Sequence, residues 1–226
     1  MKSVRHAIPS ECWSTDDDAA AQSFCDWDFL LKAVATAANS QIDCANPFAN
    51  AFPGDHYRIL AGLIHNLDRS SGPLTLIDIG THFGTSARTM LDFSKPEDRV
   101  VTFDVAPYTS YETMYLTEED FSTRLTQYVE DLQEPSVWQK HQELIRNADF
   151  IMCDGPKDGK FEARIYNLLS TLDFPTKPRW LFLDDIRFPG EMQSWRSICS
   201  PKIDLTSFGH FSGTGLVNIS KGLELG

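Results

Sequence analysis

The stretch LIDIGTHFGTSA, residues 76–87, joins a short apolar run to a turn bounded by glycines and then to a helical pattern. The run stops at Gly80 and the next glycine is Gly84, with His82 between them. A dinucleotide-binding turn has the pattern G-x-G-x-x-G, because its middle glycine lets the backbone approach a pyrophosphate. The spacing G-x-x-x-G disfavours that turn. It leaves open a site for a different ligand or a plain connection between a strand and a helix.

Short apolar runs followed by helical stretches recur after this turn. Runs that are apolar on both faces and alternate with helices are typical of a parallel sheet covered on both sides. The end of the chain, 202–220, reads as two strands around the turn Ser-Gly-Thr-Gly, which must be antiparallel because no crossover helix fits between them. The sequence therefore predicts an α/β fold: a Rossmann-like, doubly wound, seven-stranded sheet with a C-terminal antiparallel hairpin. The other predicted strands are 74–80, 99–105, 126–132, 148–155 and 179–186.

The residues before the sheet form a separate predicted region. We expect 1–54 to be an N-terminal arm and helical lid, with a helix at 26–42, and 55–226 to be the main domain. Phe52, His56 and Tyr57 are the lid candidates, with a plain connecting loop as the alternative.

The composition limits the classes of partner. The 226-residue chain has a formal net charge of −12, which argues against binding nucleic acid or an anionic membrane surface. It shows no apolar window long enough for a membrane span and no apolar leader, and its five cysteines form no CxxC pair. We therefore predict a cytoplasmic protein with no nucleic-acid or membrane partner. The acidic arm leaves a homodimer open.

Aspartates lie at or near the ends of the five predicted parallel strands. In such sheets, ligands bind beyond the carboxyl ends of the strands. A single aspartate there caps the following helix, but several on one edge repel one another unless a cation lies between them. The pattern favours a ligand or cation site, and a set of helix caps is the alternative. The residues are Asp78, Asp104, Asp131, Asp154 and the pair Asp184-Asp185.

The order and spacing of these motifs over roughly 55–222 resemble the class I S-adenosylmethionine-dependent methyltransferases. The stretch 76–87 is similar to their first motif, in the variant found in small-molecule O-methyltransferases. The resemblance implies that the methionine part of the cofactor lies against this turn, with His82 in the pocket wall. The implied cofactor contacts are Gly80, Thr81, Gly84 and Ser86 for the methionine part, Asp78 for its ammonium, Asp104 for the ribose hydroxyls and Asp131 near adenine.

Two further stretches, DGPKDG at 154–159 and LFLDDI at 181–186, resemble the metal-dependent catechol-type O-methyltransferases. The resemblance implies that Asp154, Asp184 and Asp185 bind Mg²⁺, which prefers oxygen ligands. It also implies a small hydroxylated acceptor such as a vicinal diol or catechol.

The same resemblance assigns catalysis to Asp154 and to Lys157, which matches the family's general base. Gly155 and Pro156 stand where the family has a bulky residue after the first aspartate, so the placement of Lys157 is open. His210 is the competing catalytic residue, because a histidine at this edge titrates near neutral pH.

Three other functions stay open. A nicotinamide-dependent oxidoreductase requires the missing G-x-G-x-x-G pattern and leaves Asp184-Asp185 unexplained. A metal-independent methyltransferase of the same fold would use the three acids to bind polar groups of the substrate. A binding protein would keep the pocket without the chemistry.

Overall fold

The computed structural model describes residues 26–39, 55–209 and 211–226. These residues form seven strands and seven α-helices. The strands are β1 (Thr75–Ile79), β2 (Arg99–Asp104), β3 (Leu125–Val129), β4 (Phe150–Cys153), β5 (Trp180–Asp184), β6 (Lys202–Asp204) and β7 (Thr214–Asn218). The helices are α1 (Trp27–Asn39), α2 (His56–Asn66), α3 (Thr85–Phe93), α4 (Glu118–Thr123), α5 (Pro135–Arg146), α6 (Phe161–Ser170) and α7 (Met192–Ser197).

All seven strands belong to one sheet, in the order β3-β2-β1-β4-β5-β7-β6. Strands β1 to β5 are parallel, and β7 runs antiparallel to both of its neighbours. The predicted Rossmann-like, doubly wound sheet with a C-terminal antiparallel pair is therefore confirmed. Because the chain returns from the β3 edge to place β4 beside β1, the strand order reverses next to β1. A crevice for a ligand forms at such a reversal.

The C-terminal turn differs from the prediction. Thr214 and Gly215, predicted as half of a Ser-Gly-Thr-Gly turn, are the first residues of β7. The connection from β6 is the longer segment 205–213, and Asp185 N–H donates to the carbonyl of Gly213 at 2.8 Å. This pairing extends the strand contact beyond β5, which places the segment beside Asp184-Asp185.

Strands β1, β2, β4, β5 and β7 are buried on both faces, as their near-continuous apolar runs predict, whereas β3 and β6 at the sheet edges are partly exposed. In β1, Ile77 and Ile79 belong to the hydrophobic core on one face of the sheet, and Leu76 belongs to the core on the other. The helices therefore cover both faces, and polar side chains reach solvent mainly where strands end. Because β1 to β5 are parallel, their carboxyl ends and the aspartates there share one edge of the sheet.

Helix α1 packs on α2 and on the sheet. A side chain at Gly62 of α2 would place its Cβ only 2.1 Å from the carbonyl oxygen of Ala33, so the two helix backbones touch. Phe29 stacks on Trp180 of β5 with ring centroids 4.6 Å apart. The rest of the predicted arm and lid, 1–25 and 40–54, lies outside the described residues, and the domain boundary at 54/55 stays a prediction. Within the described ranges, no helix is long and apolar enough to cross a membrane.

Candidate active site

The turn after β1 brings two strand ends into close contact. Gly80 has φ +107°, and a Cβ on it would lie 1.9 Å from the carbonyl oxygen of Asp154. Only glycine combines this backbone conformation with such a close approach. The sequence therefore requires Gly80 here for the packing of β1 against the β4 loop, in addition to any role toward a ligand.

A cavity of about 450 Å³ opens beside this turn, at the carboxyl ends of the parallel strands. Five predicted site residues line it: Gly80, Asp104, Asp131, Asp154 and Lys157. The wall also includes His82, as predicted, and Tyr111, Glu130, Gln133 and Phe161. These last four were not predicted, because no sequence motif marks them. The only signal for Glu130 and Gln133 was their position beside Asp131.

Asp104 is fixed at the end of β2 by backbone donors. Its Oδ2 accepts the N–H of His82 at 2.9 Å, and its Oδ1 accepts the N–H of Ala106 at 3.0 Å. His82 reaches this position with φ +43°, in the left-handed region that non-glycine residues rarely adopt. The carboxylate of Asp104 is thus oriented at the cavity wall with lone pairs left for a hydroxyl-bearing ligand.

Four predicted cofactor residues are not among those that line this cavity: Asp78, Thr81, Gly84 and Ser86. They are buried or tightly packed behind the turn. The hydroxyl of Thr81 lies 2.7 Å from that of Thr102, and a Cβ on Gly84 would lie 2.4 Å from Cγ of Leu116. These four residues pack behind the turn and do not face the cavity. The spacing of residues in the sequence does not distinguish those that line the cavity from those that pack behind it.

Asp78 is completely buried in this second layer. Thr102 Oγ1 donates to its Oδ2 at 2.9 Å. Burial raises the pKa of Asp78 to about 7, although hydrogen bonds from Ser86 and Thr102 act to lower it. The carboxyl group is therefore close to half protonated at neutral pH.

We expect Asp78→Asn to increase the free energy of unfolding at pH 8 by about 2–4 kcal/mol, and to have much less effect at pH 5. Folded Asp78 holds its proton up to about pH 7, whereas an unfolded aspartate releases it near pH 4. Wild-type stability therefore falls as the pH rises through this window, and the neutral Asn avoids that loss. Denaturant unfolding at both pH values measures the difference, with the exposed Asp173→Asn as control. Equal effects of Asp78→Asn at the two pH values would show that Asp78 does not titrate in this range.

Asp154, Asp184 and Asp185 come together as the sequence predicts. Each offers a carboxylate oxygen, and these oxygens all lie within 4.8 Å of one another. Asp185 has φ +57°, a conformation that aspartate tolerates better than most residues. Its N–H donates to Asp184 Oδ1 at 2.8 Å.

The three aspartates repel one another in a partly buried place. Burial raises the pKa of Asp154 to about 6, and the carboxylate of Asp184 contributes to the rise. A group of carboxylate oxygens whose negative charge is not balanced by nearby positive groups suits a hard divalent cation. The residues present therefore fit Mg²⁺.

Lys157 joins this cluster despite the unusual Gly155-Pro156 that precedes it. Its Nζ lies 2.8 Å from Asp154 Oδ1 and 3.6 Å from Asp185 Oδ2. Burial lowers the pKa of Lys157, but the carboxylates of Asp154 and Asp184 raise it, and the net pKa lies above the ordinary lysine value. In this state Lys157 is a proton donor. One ammonium against three carboxylates still leaves two negative charges.

The remaining catalytic and lid predictions have different outcomes. His210 and Phe52 lie outside the described residues. His56 is fully buried, with Nδ1 2.8 Å from Thr214 Oγ1 and 3.6 Å from Asp184 Oδ1, so it lies within the core and not in a lid. Burial raises the pKa of the neighbouring Tyr57 hydroxyl well above its usual value, and the aspartate cluster adds to this effect. The first residues of α2 thus pack against the buried side of the aspartate cluster.

Comparison with known proteins gave structural likenesses only. No family model matches the chain, and no curated protein matches it. The cofactor-bound protein Rv0187 from MTB is 14% identical, with 86% of this chain and 90% of that chain covered and a TM-score of 0.49. An O-methyltransferase from Bacillus cereus in complex with SAH is 14% identical, with coverages of 92% and 98% and a TM-score of 0.47. The SAH-bound methyltransferase PaMTH1 from Podospora anserina is 13% identical, with coverages of 98% and 90% and a TM-score of 0.46. At these values the likenesses do not assign a function.

Proposed function

We propose that this protein transfers the methyl group of S-adenosylmethionine to a hydroxyl group of a small molecule, with Mg²⁺ held by Asp154, Asp184 and Asp185. One observation carries the proposal. Asp154 and Lys157 belong both to the cavity wall and to the carboxylate cluster. A cofactor in the cavity and a substrate oxygen at the cluster would therefore be neighbours, as methyl transfer requires.

The cavity wall supplies a place for each part of the cofactor. Asp104, oriented by two backbone donors, would accept hydrogen bonds from the ribose hydroxyls. Asp131 would lie near adenine, and the Gly80 turn would approach the methionine part. Asp78 lies behind this turn and, in its ionised form, would favour the cofactor's ammonium.

The aspartate cluster and Lys157 would prepare the acceptor. When bound, the divalent cation stabilises negative charge that develops on an acceptor oxygen. Two adjacent hydroxyls suit such a site, which is why a catechol or vicinal diol is the proposed substrate class. Lys157 Nζ is the proposed site of proton transfer, with His210 as the alternative base. When no cation offsets the charge of the surrounding aspartates, Lys157 retains its proton. Its ammonium would then donate a hydrogen bond to an acceptor oxygen and orient it.

A metal-independent methyltransferase is the second candidate, and the position of Lys157 favours it. The ammonium is already 2.8 Å from Asp154, where it partly neutralises the cluster. In that version the acids would bind polar groups of the substrate directly. The charge balance favours the cation, since one ammonium does not neutralise three carboxylates.

A transfer assay separates these functions. We expect the purified protein to transfer labelled methyl from S-adenosylmethionine to members of a panel of catechols and vicinal diols, and not to matched monohydroxy compounds. EDTA should lower the rate at least about 100-fold, because the cation contributes several kcal/mol to stabilising the oxygen charge, and excess Mg²⁺ should restore it.

Two results would count against the proposal. Turnover that EDTA leaves unchanged would identify the metal-independent enzyme. Oxidation of panel members with NAD⁺, without methyl transfer, would identify the oxidoreductase.

A further inference from the structure

Two buried glutamates lie beside the aspartate cluster. Glu162 is in the first turn of α6, and Glu191 immediately precedes α7. Their relative exposures are 1% and 2%. A buried carboxylate is costly unless other groups compensate for the lost water. The pair therefore needs a structural reason.

Glu191 connects two loops. The first loop follows β4 and carries Asp154 and Lys157, and the second follows β5 and carries Asp185. The Oε1 atom of Glu191 accepts the N–H of Gly159 in the first loop at 2.9 Å. The backbones of the two loops also touch, since a Cβ on Gly190 would lie 3.1 Å from Cα of Gly159.

Glu162 completes the contact from α6. Among the described residues, no amide, ammonium or hydroxyl group of another residue donates to either oxygen of Glu162 or to Oε2 of Glu191. The carboxyl groups of Glu162 and Glu191 are neighbours, and two carboxyl groups can bond to each other only with a proton between them. Burial, followed by the bond to Glu191, raises the pKa of Glu162 to about 8. A protonated Glu162 carries an O–H that can donate to Glu191.

This arrangement lies directly against the site. Nζ of Lys157 is 3.7 Å from Oε1 of Glu162, on the same ammonium that contacts Asp154 and Asp185. A change in the spacing of the two loops would therefore move Lys157 and the aspartates relative to one another. Cation affinity depends steeply on such spacing, because groups that orient the ligands affect it by about 10–100-fold.

We propose that the Glu162–Glu191 carboxyl pair is a clip that holds the loop after β4 against the loop after β5 and so positions Asp154 and Lys157 relative to Asp184 and Asp185. The clip's effect on a cation rests on the proposed function, whereas its effect on the loops does not. Both glutamates are positioning residues, since neither lines the cavity.

The test compares Glu162→Ala with Glu162→Gln. The Gln amide keeps a donor for Glu191, whereas Ala removes it. Hydrogen exchange of the Gly159 amide, followed by NMR, reports the clip, and titration of the full-length protein with Mn²⁺ alone reports the aspartate spacing. We expect Glu162→Ala to speed Gly159 exchange about tenfold and to weaken Mn²⁺ binding about tenfold. Glu162→Gln should stay within about twofold of wild type in both. Glu143→Ala, at a largely exposed side chain, is the control.

The two readouts separate the clip from the proposed function. Unchanged Gly159 exchange in Glu162→Ala, or equal damage by Gln and Ala, would overturn the clip. Faster exchange with unchanged Mn²⁺ affinity would overturn its role in positioning the aspartates. If wild type binds no Mn²⁺, the metal part of the proposed function fails, and Gly159 exchange still decides the clip. If Glu162→Ala does not fold, Glu162→Met, which fills the space without a donor, takes its place with the same expectations.

Discussion

Replacement of Asp154 by Ala is expected to lower methyl transfer about 10³-fold while changing the dissociation constant of S-adenosylmethionine by less than about threefold. Asp154 belongs to the three-carboxylate cluster, and its side chain also holds the Lys157 ammonium at 2.8 Å. The substitution removes a proposed cation ligand. It also removes the carboxylate that holds the ammonium of Lys157 in place. The cofactor keeps Asp104 and the Gly80 turn. Steady-state rates with a catechol acceptor and calorimetry with the cofactor give the two quantities.

Two further variants complete this comparison. Asp154→Asn keeps the shape of the side chain without its charge, so it should show the same large loss in rate. Asp173→Ala, at an exposed position away from the cluster, should leave both quantities unchanged. A rate within tenfold of wild type for Asp154→Ala would contradict the assignment of the cation site.

Replacement of Asp104 by Ala is expected to produce the opposite pattern. Loss of hydrogen bonds to a charged acceptor costs about 1.5–3 kcal/mol, which corresponds to an approximately 10–100-fold weaker affinity for S-adenosylmethionine. The rate at saturating cofactor should change little, because the aspartate cluster is intact. Calorimetry and the dependence of the initial rate on cofactor concentration measure the two effects.

The control for Asp104→Ala is Glu112→Ala, which removes an exposed negative charge from the segment after β2. It should leave the cofactor affinity unchanged. Unaltered affinity in Asp104→Ala, or a loss that falls on the saturated rate alone, would remove Asp104 from the cofactor site.

The fold was predictable because β1, β2, β4 and β5 are short runs that are apolar on both faces and end next to glycine or aspartate. The cluster of Asp154, Asp184 and Asp185 followed from the same fact, since the ends of parallel strands share one edge. The hairpin turn was misplaced because Thr214 and Gly215 form a bridge with the end of β5, a tertiary pairing that local turn propensity does not contain.

The spacing of residues in the sequence does not predict which of them line the cavity and which are buried behind it. Asp78 and Thr81 sit in the motif beside Gly80, yet their side chains are buried behind it. Glu162 looks like an ordinary acidic residue in the first turn of a helix. Its neighbours include Lys157 from the preceding loop and Glu191, which is distant in sequence, and a sequence pattern does not show these contacts. Likewise, the pKa of Lys157 depends on carboxylates from two different loops.

Whether the cavity binds S-adenosylmethionine is measured by calorimetric titration of the folded, full-length protein with S-adenosylmethionine and, separately, with NAD⁺. We expect binding of one S-adenosylmethionine per chain, weakened in Asp104→Ala, and no binding of NAD⁺. Absence of S-adenosylmethionine binding, or saturable binding of NAD⁺ in its place, would contradict this expectation.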